Sequence, residues 1–174
     1  MIRILLSLLV LVSSAMAEES RCKQYTPTVT AELYAAGESV GEELVFDKLL
    51  DDTRGGFVTN ITIYDKAAQD VDYLFVFYRE DPTDGTNTGG NNGATYDPTD
   101  AQNLYHTCPV SITDYQVFNT NDNAILFKSN IGCSLRKTDI DSEGDVTARL
   151  ITLGTPTYAS TSDITVEVCV SLDR

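Results

Sequence analysis

Apolar and polar residues alternate along most of this chain, and helical periodicity is nearly absent. The clearest stretch is residues 163–173. Ile164, Val166, Val168, Val170 and Leu172 fall on one face there, and Thr165, Glu167, Cys169 and Ser171 on the other. A period of two is the signature of a half-buried strand. Residues 146–153 read similarly, and residues 28–34 and 43–50 are further strand candidates. Residues 57–64 place Phe57, Thr59, Ile61 and Ile63 on one face, with Asn60 opposite. Residues 73–78 (YLFVFY) are apolar on both faces, which predicts a central strand covered on both sides. Residues 104–118 and 124–128 supply two or three more strands. The pattern predicts an all-β fold, an antiparallel sandwich or jelly roll of about 8–10 strands. Phe46, Phe57, Tyr73, Phe75 and Phe77 are expected to fill its core.

Residues 81–100 (DPTDGTNTGGNNGATYDPTD) break the pattern. Only Ala94 and Tyr96 are apolar among them, so the segment is expected to be a long, mobile loop. It opens and closes on the same tetrapeptide, Asp-Pro-Thr-Asp, a turn-starting sequence. No larger repeat and no second domain is apparent.

The first residues bear on compartment. Arg3 precedes an apolar run over residues 4–12, and Ala15-Met16-Ala17 fits a small-x-small cleavage site. The run is too short for a membrane span, which needs about 20 apolar residues. Residues 1–17 therefore read as a secretory signal peptide, and residues 18–174 as one extracellular domain. Cleavage leaves 157 of the 174 residues, and losing Arg3 takes the formal charge from −14 to −15.

Cys22, Cys108, Cys133 and Cys169 all lie beyond that cleavage site. An even number in an oxidising compartment predicts two disulfides, and three pairings are open. Metal binding is disfavoured by the absence of any C-x-x-C pair, and a free, interchain Cys22 is a minor alternative. Asn60-Ile61-Thr62 is the one N-glycosylation triplet, making Asn60 a candidate acceptor on an exposed face.

Lys plus Arg number 12 against 26 Asp plus Glu. That acid excess argues against nucleic acid, whose phosphates require basic neutralisation, and against anionic lipid. The chain lacks Trp and has a single histidine, His106, in no triad signature. No phosphate-binding Gly-rich loop, G-x-S-x-G or H-E-x-x-H occurs, so no catalytic residue is assigned. A pair of carboxylates for glycoside hydrolysis is the remaining enzymatic reading, and no sequence feature favours it.

Residues 138–145 form the best metal candidate. Asp139, Asp141, Glu143 and Asp145 alternate, with Gly144 able to turn the chain around a hard cation such as calcium. Position twelve of an EF-hand loop would fall on Leu150 and the following residues are strand-like, so a full EF-hand is rejected. The competing reading is a solvated acidic turn, with Gly144 at positive φ.

Residues 29–33, 44–52 with 55–57, and 68–77 together resemble segments of the globular head of complement C1q, in the C1q/TNF jelly-roll superfamily. Val29-Thr30-Ala31-Glu32-Leu33 resembles the family's opening strand. Leu44-Val45-Phe46-Asp47-Lys48-Leu49-Leu50-Asp51-Asp52, then Gly55-Gly56-Phe57, resembles its I-x-F-D-K-V-L-x-N-x-G segment. Residues 68–77 fit the aromatic half of P-x-x-G-x-Y-x-F-x-F, with Ala68 and Val71 replacing the proline and glycine. Residues 122–126 and 144–150 resemble late strands, whereas the family's final segment has no counterpart in residues 164–172. The resemblance implies a jelly roll of about ten strands that forms homotrimers, often with calcium, and serves extracellular recognition without catalysis. No collagen-like stretch precedes the domain, so the expectation is a stalkless head. In jelly-roll topology the first and last strands are antiparallel neighbours. That would bring Cys22 to Cys169 and leave Cys108 for Cys133.

The expected function is therefore that of a secreted, non-enzymatic binding protein of C1q-head type. Its partner would be an extracellular protein, a glycan or a mineral surface, with no nucleic acid and no membrane insertion. The alternative is an acidic extracellular-matrix or biomineral-associated protein that binds calcium weakly through its negative field.

Overall fold

The fold is given by a computed structural model, which describes residues 19–51, 53–78, 92–96, 109–113, 115–118 (backbone only), 123–136 and 144–173. The signal peptide, His106, Cys108, Asp139, Asp141 and Glu143 lie outside the described residues.

Nine strands are present among the described residues: β1 Ser20–Tyr25, β2 Leu44–Phe46, β3 Gly56–Asp65, β4 Tyr73–Tyr78, β5 Val110–Ile112, β6 Tyr115–Phe118, β7 Asn123–Leu135, β8 Val146–Thr152 and β9 Ile164–Leu172. They form two antiparallel sheets, ordered β1-β9-β3-β7-β6 and β2-β8-β4-β5. The first strand lies beside the last and the second beside the penultimate, the wrap of a jelly roll. The inward phase of β9 is Ile164, Val166, Val168, Val170 and Leu172, all buried as the alternation predicts. They meet Phe46, Phe75 and Phe77 from the other sheet in one core.

The expected strand over residues 28–34 is not formed. That segment makes only an isolated bridge, Leu33 to Thr157, and it plugs the end of the sandwich with buried Val29 and Tyr34. The opening strand is β1 instead. Its inward residues are Arg21, Lys23 and Tyr25, so it carries no apolar stripe to betray it. The six-residue ladder to β9 defines it.

The candidate over residues 43–50 shrinks to β2. A turn follows, closed by Leu49 N–H on Phe46 O, with Lys48 at φ 51°. The turn lets the consecutive Leu49 and Leu50 both join the one core, whereas successive residues of a strand point to opposite faces. Of the expected strands over residues 104–118, the described part divides between the sheets, β5 going to the four-stranded one and β6 to the five-stranded one. β7 runs well past residue 128, through irregular positions at Asn130 (φ 55°) and Gly132 (φ 66°).

Phe57 is also corrected. Val58 pairs with Val170 while Asn60 pairs with the next residue of β9, Cys169, so Thr59 is an extra residue, a β-bulge. The bulge reverses the phase of β3. Ile61 and Ile63 stay inward, Phe57 turns outward and is 46% exposed, and Val58 takes the core position.

The four-stranded sheet is covered on its outer side as well. Val76, Tyr78 and Ile151 are buried there, with Tyr96 and the neighbouring Leu74 of β4 packed against them, as the two-sided apolar reading of β4 predicts. Residues 92–96, which lie inside the expected loop, run along residues 37–40 through Ser39 N–H to Ala94 O and Tyr96 N–H to Gly37 O. The Asn92 side chain accepts from Gly41 N–H and from the Tyr34 hydroxyl. This part of the segment is therefore built into the sheet edge. Composition missed it because one asparagine and one tyrosine supply the anchoring.

Candidate functional site on the outer face of the five-stranded sheet

The outward phase of the five-stranded sheet is set by the same alternation that buries its inner face. On β3 it comprises Asn60, Thr62 and Tyr64; on β9, Thr165, Glu167 and Cys169; on β7, Ile125 and Phe127. Tyr64 stands opposite Ile125 on one side and Thr165 on the other. Thr62 stands opposite Phe127 and Glu167. Beyond β9, Gln24 Nε2 donates to Glu167 Oε2 at 2.8 Å, and the Thr26 and Thr165 hydroxyls are 3.0 Å apart.

At the Tyr64 end of this face lies an open groove of about 510 Å³, lined by Gln24, Tyr64, Lys66, Asn123, Ile125 and Thr165. That is within the ~300–1,000 Å³ typical of small-ligand sites. Partial burial, then the nearby Glu167 charge, raises the Tyr64 phenol above its ordinary pKa, so it stays a neutral ring with a donor. Lys66 is drawn to the rim by its bond to Ser162 O at 3.0 Å. Chemically the groove offers a flat ring beside an aliphatic side chain, ringed by amides and hydroxyls. Such a surface suits a ligand that is apolar on its faces and hydroxylated at its edge.

Beneath the groove, Asp65 closes β3. Its carboxylate accepts from Ala67 N–H at 2.9 Å and Gln69 N–H at 3.0 Å, an Asx-type cap. Burial raises its pKa, against the lowering effect of those donors. Deeper still, the Tyr73 and Tyr158 hydroxyls are hydrogen-bonded, and burial pushes Tyr158 far above its usual range.

The candidate site residues fall in different places. Cys22 and Cys169 are joined across the outer face, in register on β1 and β9, with Cα atoms 4.0 Å apart. This is the arrangement expected from jelly-roll topology. Cys133 is disulfide-bonded and buried on the inner phase of β7, and its expected partner Cys108 lies outside the described residues. Asn60 sits mid-sheet, partly exposed, with Thr59 Oγ1 donating to its Oδ1 at 3.1 Å.

Of the proposed calcium ligands only Asp145 is described. Its Oδ1 accepts from Lys48 N–H at 2.7 Å, stabilising the turn after β2. Gly144 has φ 84°, as expected for a turn, and a Cβ there would lie 2.7 Å from Leu50 O. Among the described residues no group of three or more His, Cys, Asp or Glu side chains could hold a metal ion.

Charge instead gathers where the chain enters the fold. Glu19, Arg21, Asp51 and Arg54 form an ion-pair network, with Arg54 2.8 Å from Glu19 and 2.7 Å from Asp51. The Arg54 guanidinium, with Thr53 assisting, holds the Asp51 carboxyl down to about 2.

Sequence reasoning missed the groove, since Tyr64, Gln24, Asn123 and Thr165 belong to four separate segments and to no motif. The one available signal was an aromatic residue on the outward phase of a strand.

No known protein family matches the chain, and no curated protein matches it. Among solved structures it is similar to the X-ray structure of tomato aspermy virus, at 6% identity and a TM-score of 0.41. That match covers 90% of this chain and 78% of the viral one. A TM-score of this size is too low for the likeness to bear on function.

Proposed function

We propose that the chain is an exported, non-catalytic binding protein, a jelly-roll head of the C1q type. The observation that carries this reading is the Cys22–Cys169 disulfide between the first and last strands. Disulfides persist in oxidising compartments, and this one ties the two strands that a jelly roll makes neighbours. The short apolar leader supports export. The outer-face groove supports binding, because its ring, amides and hydroxyls are groups that hold a ligand in the open.

A C1q-type head forms homotrimers, so light scattering on the full chain, secreted from eukaryotic cells, tests the reading. A particle of three polypeptides starting at Glu18 is expected. A strict monomer at micromolar concentration overturns the head-type assignment.

A further inference from the structure

Asn60, Thr62 and Tyr64 form one outward column on β3, the central strand of the five-stranded sheet. Asn60 starts the glycosylation triplet at one end of the column, and Tyr64 reaches the groove at the other. At ~3.3 Å per strand residue the two are about 13 Å apart along the strand. Phe127 stands beside the middle of the column and is 45% exposed. An exposed ring beside an open groove offers an apolar platform on which the flat face of a sugar can stack. The Asn60 Oδ1 is held by the Thr59 hydroxyl, and its Nδ2, the atom that a sugar would occupy, makes no hydrogen bond among the described residues.

We propose that Asn60 carries an N-linked oligosaccharide, and that this sugar lies along the outer face over Phe127 and seats in the Tyr64 groove. In the transfer step Asn60 Nδ2 bonds to C1 of the first sugar of a lipid-pyrophosphate-linked oligosaccharide. The bond from C1 to the pyrophosphate oxygen breaks, the lipid pyrophosphate leaves, and Nδ2 gives one proton to a base of the transferase. Thr62, the third residue of the triplet, is only 6% exposed, and β3 is enclosed by β7 and β9. Transfer therefore precedes folding, and the sheet then closes beneath an attached sugar. Attachment makes the groove contact intramolecular. The effective concentration of a short tether is of order mM, so a contact too weak to capture a free sugar suffices. The chemistry matches: a pyranose has an apolar face for the Tyr64 ring and hydroxyls for Gln24, Asn123 and Thr165.

The inference rests on the reading that the chain is exported, and not on its assembly as a head. The test uses the full chain expressed in eukaryotic secretory cells. Peptide mass spectrometry of the medium reads occupancy of Asn60, and peptide-N-glycosidase releases the sugar from native and denatured protein. Release from native wild type should be at least tenfold slower than from denatured protein. Tyr64→Ala and, separately, the exposed-site variant Phe127→Ser should each speed native release severalfold at an unchanged melting temperature. A secreted chain bare at Asn60 overturns the inference and leaves export standing. So does native release that neither substitution alters, since Asn60 is then shielded by the sheet alone. A bare chain whose Tyr64 signals respond to added N,N′-diacetylchitobiose assigns the groove to a foreign sugar, which also overturns it. A chain retained in the cell without a glycan overturns the exported reading itself.

Discussion

Replacing both Cys22 and Cys169 by serine removes a crosslink without leaving a thiol to mispair. The two residues are 147 apart in sequence. In the chain-entropy account, closing a loop of that length lowers the unfolded-state entropy by about 5 kcal/mol at 25 °C, and native disulfides typically deliver about 2–5. For a domain of this size each kcal/mol moves the midpoint by about 2–4 °C. The expected loss is therefore about 5–20 °C in a melting curve followed by circular dichroism. The local setting favours the lower part of that range, because β1 can fray without opening the core and so recovers part of the entropy in the folded state. β1 buries little apolar surface, because Arg21 and Lys23 occupy two of its three inward positions and only Tyr25 packs, against Phe46. Without the crosslink β1 keeps its ladder to β9 and the Glu19–Arg21–Asp51–Arg54 network. Amide exchange should accordingly rise first in β1 and along β9. A double variant that melts within about 2 °C of the wild type, with unchanged exchange in β1, would refute the reasoning.

Three further outcomes follow from the packing and charges. Tyr158→Phe should cost about 1–3 kcal/mol by removing a buried hydrogen bond to the Tyr73 hydroxyl, and Tyr73→Phe/Tyr158→Phe should cost less than the sum of the single changes, as read by urea unfolding. Gly144→Ala should lose at least about 1 kcal/mol in the same assay, since it combines a positive φ with a Cβ 2.7 Å from Leu50 O. Asp51 and Glu19 both have pKa values lowered in the folded state by the arginines, Arg54 foremost. Their stabilising contribution is present above the unfolded carboxyl pKa, about 4, and is lost as pH falls toward about 2. The melting-point gap between wild type and Arg54→Ala should therefore close across that range, and narrow in high salt at neutral pH.

The parts of the fold that follow from burial were legible in the sequence. β9 alternates because one of its faces lies on the core, and β4 is apolar throughout because Tyr96 packs on what would otherwise be its wet side, against Val76 and Tyr78. β1 was invisible for the converse reason: Arg21 and Lys23 fill two of its three inward positions, Tyr25 alone packs on the core, and only pairing with β9 makes it a strand. Phe57 shows a different limit. A single extra residue, Thr59, reverses the phase of everything on one side of it, and nothing in the run Phe57-Val58-Thr59-Asn60-Ile61 marks where that residue sits. The disulfide between Cys22 and Cys169 was reachable only through topology, since spacing alone leaves three pairings open. The groove has no linear signature, because register sets Thr165, Tyr64 and Ile125 in one row from three strands and Gln24 reaches it from the adjacent row on β1. The acidic alternation at Asp139, Asp141, Glu143 and Asp145 could be followed only at its last member, whose carboxylate serves the backbone of Lys48.

Glu19 O accepts from Leu172 N–H at 2.9 Å, so the polypeptide enters and leaves the sandwich at a single corner. A short linker could join the two ends there, and the protein could be reopened at the exposed turn over residues 160–162 with its strand order intact. Anything fused to either end, whether a tag, an anchor or a second domain, would project from that same corner and leave the far end of the barrel-shaped body unencumbered.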